Sequence, residues 1–262
     1  MDIIVCIKQV PETTEIGWDP ATGTLIRGGV PGVLNPSDKH ALEAALQLRE
    51  RYGAQITALS MGPLHAEETL REALSMGVDG AILLSDTAFA GADTLSTAYA
   101  LSLAVRRIGR FDLILCGKES SDGMTAQVGP QLAELLNIPQ LTYAIEIVVT
   151  NKTVRIKQKL EGGFRGVESL YPAVITVEKE MNQPRIPTME GIMEAYASKE
   201  VQVWSAEDLG GKGGRLGLKG SPTQTRKVYT KELRRGKVTI LEGEPDEVAV
   251  KLIQTLTAKG LL

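Results

Sequence analysis

The densest run of chemistry-bearing residues in this sequence is Gly117-Lys118-Glu119-Ser120-Ser121-Asp122-Gly123-Met124-Thr125-Ala126-Gln127-Val128-Gly129. It follows the aliphatic run Phe111 to Cys116 and precedes a helical pattern from Gln127 to Leu136, so it reads as a strand-to-helix loop. Gly123 and Gly129 permit close backbone approach, and Thr125 and Gln127 offer hydrogen-bond donors. Free N–H groups at the start of a helix, reinforced by its dipole, suit a phosphate. The loop is not a Walker motif, because the leading glycine of GxxxxGK[ST] is missing, and the chain has no GxGxxG. From these residues alone a nucleotide site and a plain strand-to-helix connection, where Gly and Asp are common anyway, both stay open.

Ligands of open parallel α/β sheets bind at the carboxyl ends of strands. Two further strand ends carry suitable residues: Cys6-Ile7-Lys8-Gln9, and Leu34-Asn35-Pro36-Ser37-Asp38 together with Ser60-Met61-Gly62. Other candidates carry less. His40 and His65 read as solvated, Glu67-Glu68 and Arg234-Arg235 as exposed faces, and no Ser–His–Asp set or carboxylate pair is visible. Cys6 and Cys116 are the two cysteines, each inside an apolar run, which predicts structural thiols in a reducing compartment. Met181, Met189 and Met193 cluster around Pro184 and suit either a core or an adaptable surface.

The elements that must position these residues alternate. Strands are expected at Met1 to Val10, Gln55 to Met61, Gly80 to Ser85 and Phe111 to Cys116. Helices are expected at Lys39 to Tyr52, His65 to Met76, Asp93 to Ile108 and Gln127 to Leu136. Strands apolar on both faces predict a parallel sheet covered by helices on each side. Glu12 to Val33, rich in glycine, reads as a looped excursion with a small hairpin. Leu141 to Val149 and Val154 to Leu160 read as a hairpin around Asn151-Lys152, Glu161-Gly162-Gly163 as a turn, and Ala173 to Val177 as a buried strand. Gly210 to Gly220 holds six glycines and reads as a flexible connector. A short strand at Val238 to Leu241 and an amphipathic helix from Pro245 to Lys259 follow. The expected division is an α/β domain over 1–205 and a linker with a C-terminal arm over 206–262.

With 262 residues, 29 basic against 32 acidic and a net charge of −3, the chain carries no footprint for nucleic acid or an anionic membrane. No apolar run approaches the ~20 residues of a membrane span, and Met1-Asp2-Ile3-Ile4-Val5-Cys6-Ile7 lacks the features of a secretory signal. The expected location is the cytoplasm.

In these residues and their order, the chain resembles the small (beta) subunit of electron-transfer flavoproteins. The likeness runs through Val5-Cys6-Ile7-Lys8-Gln9-Val10, Asn35-Pro36, Ser60-Met61-Gly62-Pro63, Ala73 to Asp79, the Gly117 loop, Glu161-Gly162-Gly163, Tyr171 to Val177 and Asn182-Gln183-Pro184-Arg185 leading to Ile192-Met193. The resemblance implies a Rossmann-like fold of the adenine nucleotide alpha hydrolase type. It also implies a heterodimer with a larger (alpha) subunit that carries an electron-transferring FAD. An adenylate pocket would be formed by Cys6, Lys8, Asn35, Asp38, Met61, Gly117, Lys118, Asp122, Gly123, Met124, Thr125, Ala126, Gln127 and Val128. A loop over Pro184, Arg185, Met189, Ile192 and Met193 would grip a partner, an acyl-CoA or other flavin dehydrogenase, with Met189 where the family usually has leucine. The loop Asp122-Gly123-x-Thr125 to Gln131 resembles the flavin-bifurcating branch. There the bound nucleotide is a second FAD that takes a hydride from NADH and sends one electron to a low-potential carrier such as ferredoxin or flavodoxin. In the alternative branch this subunit holds structural AMP.

Overall fold

Strand β1 (Asp2–Ile7) sets Ile3, Val5 and Ile7 into the core of one sheet face and Ile4 and Cys6 into the core of the other. Such a strand is stable only with helices on both sides. A computed structural model of the chain describes residues 1–12, 31–211, 213–223 and 238–262. Most of the expected excursion, including Gly17, Gly23, Gly28 and Gly29, lies outside the described residues, as does Arg234-Arg235. At its ends β2 (Gln9–Pro11) and β3 (Gly32–Leu34) pair antiparallel.

From β1 the chain passes through α1 (Pro36–Tyr52), β4 (Gln55–Met61), α2 (Glu67–Met76) and β5 (Gly80–Leu84), building outward on one side of β1. Helix α3 (Thr94–Ile108) then returns it to β6 (Leu113–Gly117), which lies on the other side of β1, followed by α4 (Val128–Leu136). The remaining strands are β7 (Gln140–Val149), β8 (Thr153–Leu160), β9 (Gly163–Leu170), β10 (Ala173–Val177) and β11 (Val201–Trp204), with α5 (Met189–Ala197) before β11. The sheet order is β11-β5-β4-β1-β6-β10-β7-β8-β9, and β1 pairs parallel with both β4 and β6. The winding therefore reverses between β1 and β6, which is where a doubly wound sheet opens a crevice. Helices α1 and α2 cover one face with Leu42, Leu46, Leu70 and Leu74, while α3 and α4 cover the other with Ala98, Leu101, Val105 and Leu132. The expected α/β class and two-sided parallel sheet are what the chain forms.

Three expectations need correction. The hairpin around Asn151-Lys152 carries a third strand, β9, which runs antiparallel to β8. No residue of β9 is fully buried, so it lacks the period-two apolar signal of a strand packed on a core. Val238 to Leu241 forms no strand.

The segment after β11 is not a free connector over its described residues. Leu209 and Leu216 are buried in the second-face core, and Leu218 N–H donates to the Ala90 carbonyl at 2.9 Å. Ser221 Oγ accepts the Asp93 N–H at 2.8 Å, and Thr223 N–H donates to the Asp93 carboxylate at 3.0 Å. Gly217, at φ 54°, sits where a Cβ would lie 2.3 Å from the Ala88 carbonyl oxygen. Gly211, Gly217 and Gly220 allow close packing, a use that composition alone cannot separate from flexibility. The compact units are accordingly Met1–Arg226 and Lys227–Leu262. In the second, α6 (Pro245–Ala258) has Asp246 and Glu247 in its first turn and no buried residue. Among the described residues no helix is long and apolar enough to cross a membrane.

Leu216→Ala should lower the unfolding free energy by about 3 kcal/mol, as for a buried leucine. Denaturant titration checks this, and an unchanged midpoint would restore the connector reading.

Candidate functional site

Strands β1 and β6 run in register with Cys6 opposite Cys116, so Lys8 and the Gly117 loop leave the sheet side by side. The start of α1 fits between them. Asn35 precedes the helix but makes no side-chain capping bond to it. Its Nδ2 instead donates to the Glu119 carbonyl at 3.0 Å, and its Oδ1 accepts the Ser121 N–H at 3.0 Å. Asp38, one turn further, accepts the Lys8 N–H on Oδ2 at 2.8 Å and the Gly117 N–H on Oδ1 at 3.1 Å. A Cβ at Gly117 would lie 2.4 Å from Asp38 Oδ1, so only glycine admits this contact. Two side chains from one helix start thus fix the end of β1 and the root of the β6 loop.

The Lys8 ammonium reaches into the loop, 2.7 and 2.8 Å from the two carboxylate oxygens of Asp122 and 3.5 Å from Ser120 Oγ. Lys118 turns the other way, to Glu178 at 3.2 Å and over the Tyr143 ring at 5.6 Å. Met124 N–H donates to the Ser120 carbonyl at 2.8 Å. Met124 (φ 47°) and Ala126 (φ 53°) then take left-handed backbone, an unfavourable conformation for residues with a Cβ. The N–H groups of Thr125, Ala126, Gln127, Val128 and Gly129 have no hydrogen-bond partner among the described residues. Gly123 leaves space beside them, since a Cβ there would meet only Ser120 Oγ, at 3.2 Å. The result is a run of donors without described partners leading into α4, and a helix start with such donors receives anionic oxygens.

The structure therefore brings Cys6, Lys8, Asn35, Asp38, Gly117, Asp122 and the loop to Val128 together at the ends of β1 and β6. Met61 lies one strand away at the end of β4, half-buried against the second-face core. Gln127 is less available than its sequence position suggests, because Thr94 Oγ1 donates to its Oε1 at 3.1 Å and ties the loop to α3. Thr94 and Glu178 escaped the sequence reading, since they come from elements far from the loop in sequence and have no motif of their own. The two thiols are neighbours, which sequence distance hid. The Cys6 hydrogen bond and burial push the Cys116 thiol well above its usual range, in keeping with unreactive structural cysteines.

The segment from Pro184 forms a separate surface. Thr188 Oγ1 accepts the Gly191 N–H at 3.0 Å and starts α5. Arg185 is held by Glu43 at 2.8 Å and Glu50 at 2.7 Å on α1. Burial works to raise the Glu43 carboxyl, but hydrogen bonds from Arg185 and Gln47 outweigh it and keep the group below its usual value. Ile186, Met189 and Met193 are exposed, and Ile192 is partly so. His40, expected in solvent, is half-buried, with Nδ1 3.1 Å from both the backbone carbonyl and the side-chain oxygen of Asn182.

Burial raises the Asp38 carboxyl from 3.8 to about 7, against hydrogen bonds from Asn35, Lys8 and Gly117. The folded state thus binds this proton more tightly than the unfolded chain. Its contribution to stability falls as pH rises from 3.8 to about 7 and is lowest above that. Asp38→Asn removes the component. The difference in unfolding free energy between variant and unsubstituted protein should shift in the variant's favour across that window and level off above it. Denaturant titrations at several pH values check this, and a difference independent of pH contradicts it.

Comparison with known proteins adds an independent line. The family model described as "Electron transfer flavoprotein domain" matches residues 22–209. The chain is 46% identical over 262 residues, the full length of both chains, to the electron transfer flavoprotein subunit beta of Thermoanaerobacterium thermosaccharolyticum. It is 45% identical over 256 residues, 98% of each chain, to that of Clostridium acetobutylicum. To the caffeyl-CoA reductase-Etf complex subunit CarD of Acetobacterium woodii it is 41% identical over 263 residues, again the full length of both. The crevice at the sheet's reversal point and these full-length likenesses agree: the chain belongs to the electron transfer flavoprotein family, among its beta subunits.

Proposed function

We propose that this beta subunit binds FAD in the crevice between β1 and β6 and passes electrons to an FAD carried by its large, alpha subunit. The observation that carries the reading is the row of N–H groups from Thr125 to Gly129 that have no partner among the described residues, where Met124 and Ala126 hold a strained backbone open beside Gly123. A diphosphate offers oxygens to several such donors at once. Asn35 and Asp38 hold the root of the loop, and Met61, at the end of β4, would add apolar surface one strand from β1. Lys8 contributes positive charge, steadied by Asp122 until phosphate oxygens compete for it. FAD, when bound, supplies hydride acceptance and one-electron donation; the protein supplies binding, orientation and exclusion of water.

In this reading NADH would be the two-electron donor. One electron would pass to the alpha-subunit flavin and on to a flavin dehydrogenase, and the other to a low-potential carrier such as ferredoxin or flavodoxin. The name of the Acetobacterium woodii relative, which joins an Etf to a caffeyl-CoA reductase, supports a dehydrogenase acting on CoA thioesters. Met189, exposed in the first turn of α5 with Ile186 and Met193 around it, would anchor that partner. In the second unit, α6 exposes Val250, Leu252 and Ile253 and would dock on the alpha subunit. The location proposed for the assembly is the cytoplasm.

Cofactor analysis of the purified heterodimer tests the reading: two FAD per heterodimer are expected, whereas one FAD with extractable AMP would contradict it. Met189→Ala should slow electron transfer to the dehydrogenase at least tenfold, a loss of about 1.4 kcal/mol, with cofactor content unchanged. Equal coupling rates would remove the anchor role.

A further inference from the structure

Among the described residues, the buried Asp38 carboxylate forms no ion pair. Lys8 is matched by Asp122 and Lys118 by Glu178, but the Asp38 carboxylate has two backbone N–H groups and Asn35 as its partners. It is 5% exposed. Near it stand Lys8 from the end of β1 and the Cys116 thiol of β6, itself bonded to Cys6, and it lies in the first turn of α1, at the positive end of that helix's dipole. Lys8 is the cation whose charge favours the Asp38 anion. Burial opposes that anion and brings its titration to about pH 7.

We propose that this crevice takes up a proton together with its nucleotide: as the anionic nucleotide binds, Asp38 passes from carboxylate to carboxylic acid, the proton coming from solvent. The inference rests on the crevice being the nucleotide site. Phosphate oxygens on the Thr125 to Gly129 donors add negative charge to the loop and draw on Lys8. Both effects act through a poorly screening interior and favour the neutral acid. By linkage the reverse also holds, since a protonated Asp38 favours the anionic ligand. Nucleotide affinity therefore falls as pH rises between the Asp38 titrations of the free and bound protein, by at most about tenfold per pH unit. The buried carboxylate thereby has a role beyond fastening strands, which an amide could partly imitate.

Calorimetric titration of FAD into the purified full chain, in buffers of different ionisation enthalpy, counts the protons. FAD suits the purpose because its diphosphate diester has no group titrating near neutrality, so the protons counted belong to the protein. Uptake approaching one proton is expected at about pH 7.5, falling toward none at about pH 5.5, where Asp38 is already protonated. Asp38→Asn should abolish the uptake. Should that variant not fold, the pH profile of the unsubstituted chain decides alone. FAD binding without proton uptake, or uptake unchanged in Asp38→Asn, overturns the inference and leaves the site reading standing. A chain that binds no FAD overturns both.

Discussion

The structure around the crevice depends on one contact: a buried carboxylate that accepts hydrogen bonds from the backbones of two parallel strands at once. Asp38 joins Lys8 N–H at the end of β1 to Gly117 N–H at the end of β6. These strands border the reversal in winding, where no crossover helix fills the gap among the described residues. Gly117 is required because any side chain there would occupy the carboxylate's place. Asn35 extends the same tie to Glu119 and Ser121. The loop's root is thus held by polar bonds, while the N–H donors of its far half, Thr125 to Gly129, have no partner among the described residues. That division separates holding the loop from holding the ligand.

The arrangement runs against what stability alone would select. A carboxylate removed from water without a direct cation is destabilising, and hydrogen bonds offset only part of that cost. Left-handed Met124 and Ala126 add strain in the same loop. Strain and an unbalanced charge beside unused donors are features that a plain strand-to-helix connection has no need of. Here they lie within one crevice.

Much of this was legible in the sequence. Aliphatic runs alternating with helical periods gave the two-sided sheet, because the burial of β1, β4, β5, β6 and β10 leaves hydrophobic residues no other arrangement. The three strand ends were legible from Lys8, Asn35 to Asp38 and the Gly117 loop. Pairings across the chain were not: Cys6 with Cys116, Thr94 with Gln127 and Lys118 with Glu178 depend on register and helix packing that local patterns do not encode. The glycines of 210–220 misled because glycine serves both close packing and flexibility, and only the Leu216 burial tells them apart. β9 was missed because an outlying strand without a buried face carries no periodic signal.

The central claim is that the N–H donors of Thr125 to Gly129 are the anion-binding surface. Amide hydrogen exchange of the full chain, with and without FAD, tests it residue by residue. The account predicts strong protection of the Thr125 to Gly129 amides on binding, with Gly117 and Lys8, already bonded to Asp38, changing little. Protection elsewhere with those five amides unchanged would contradict it.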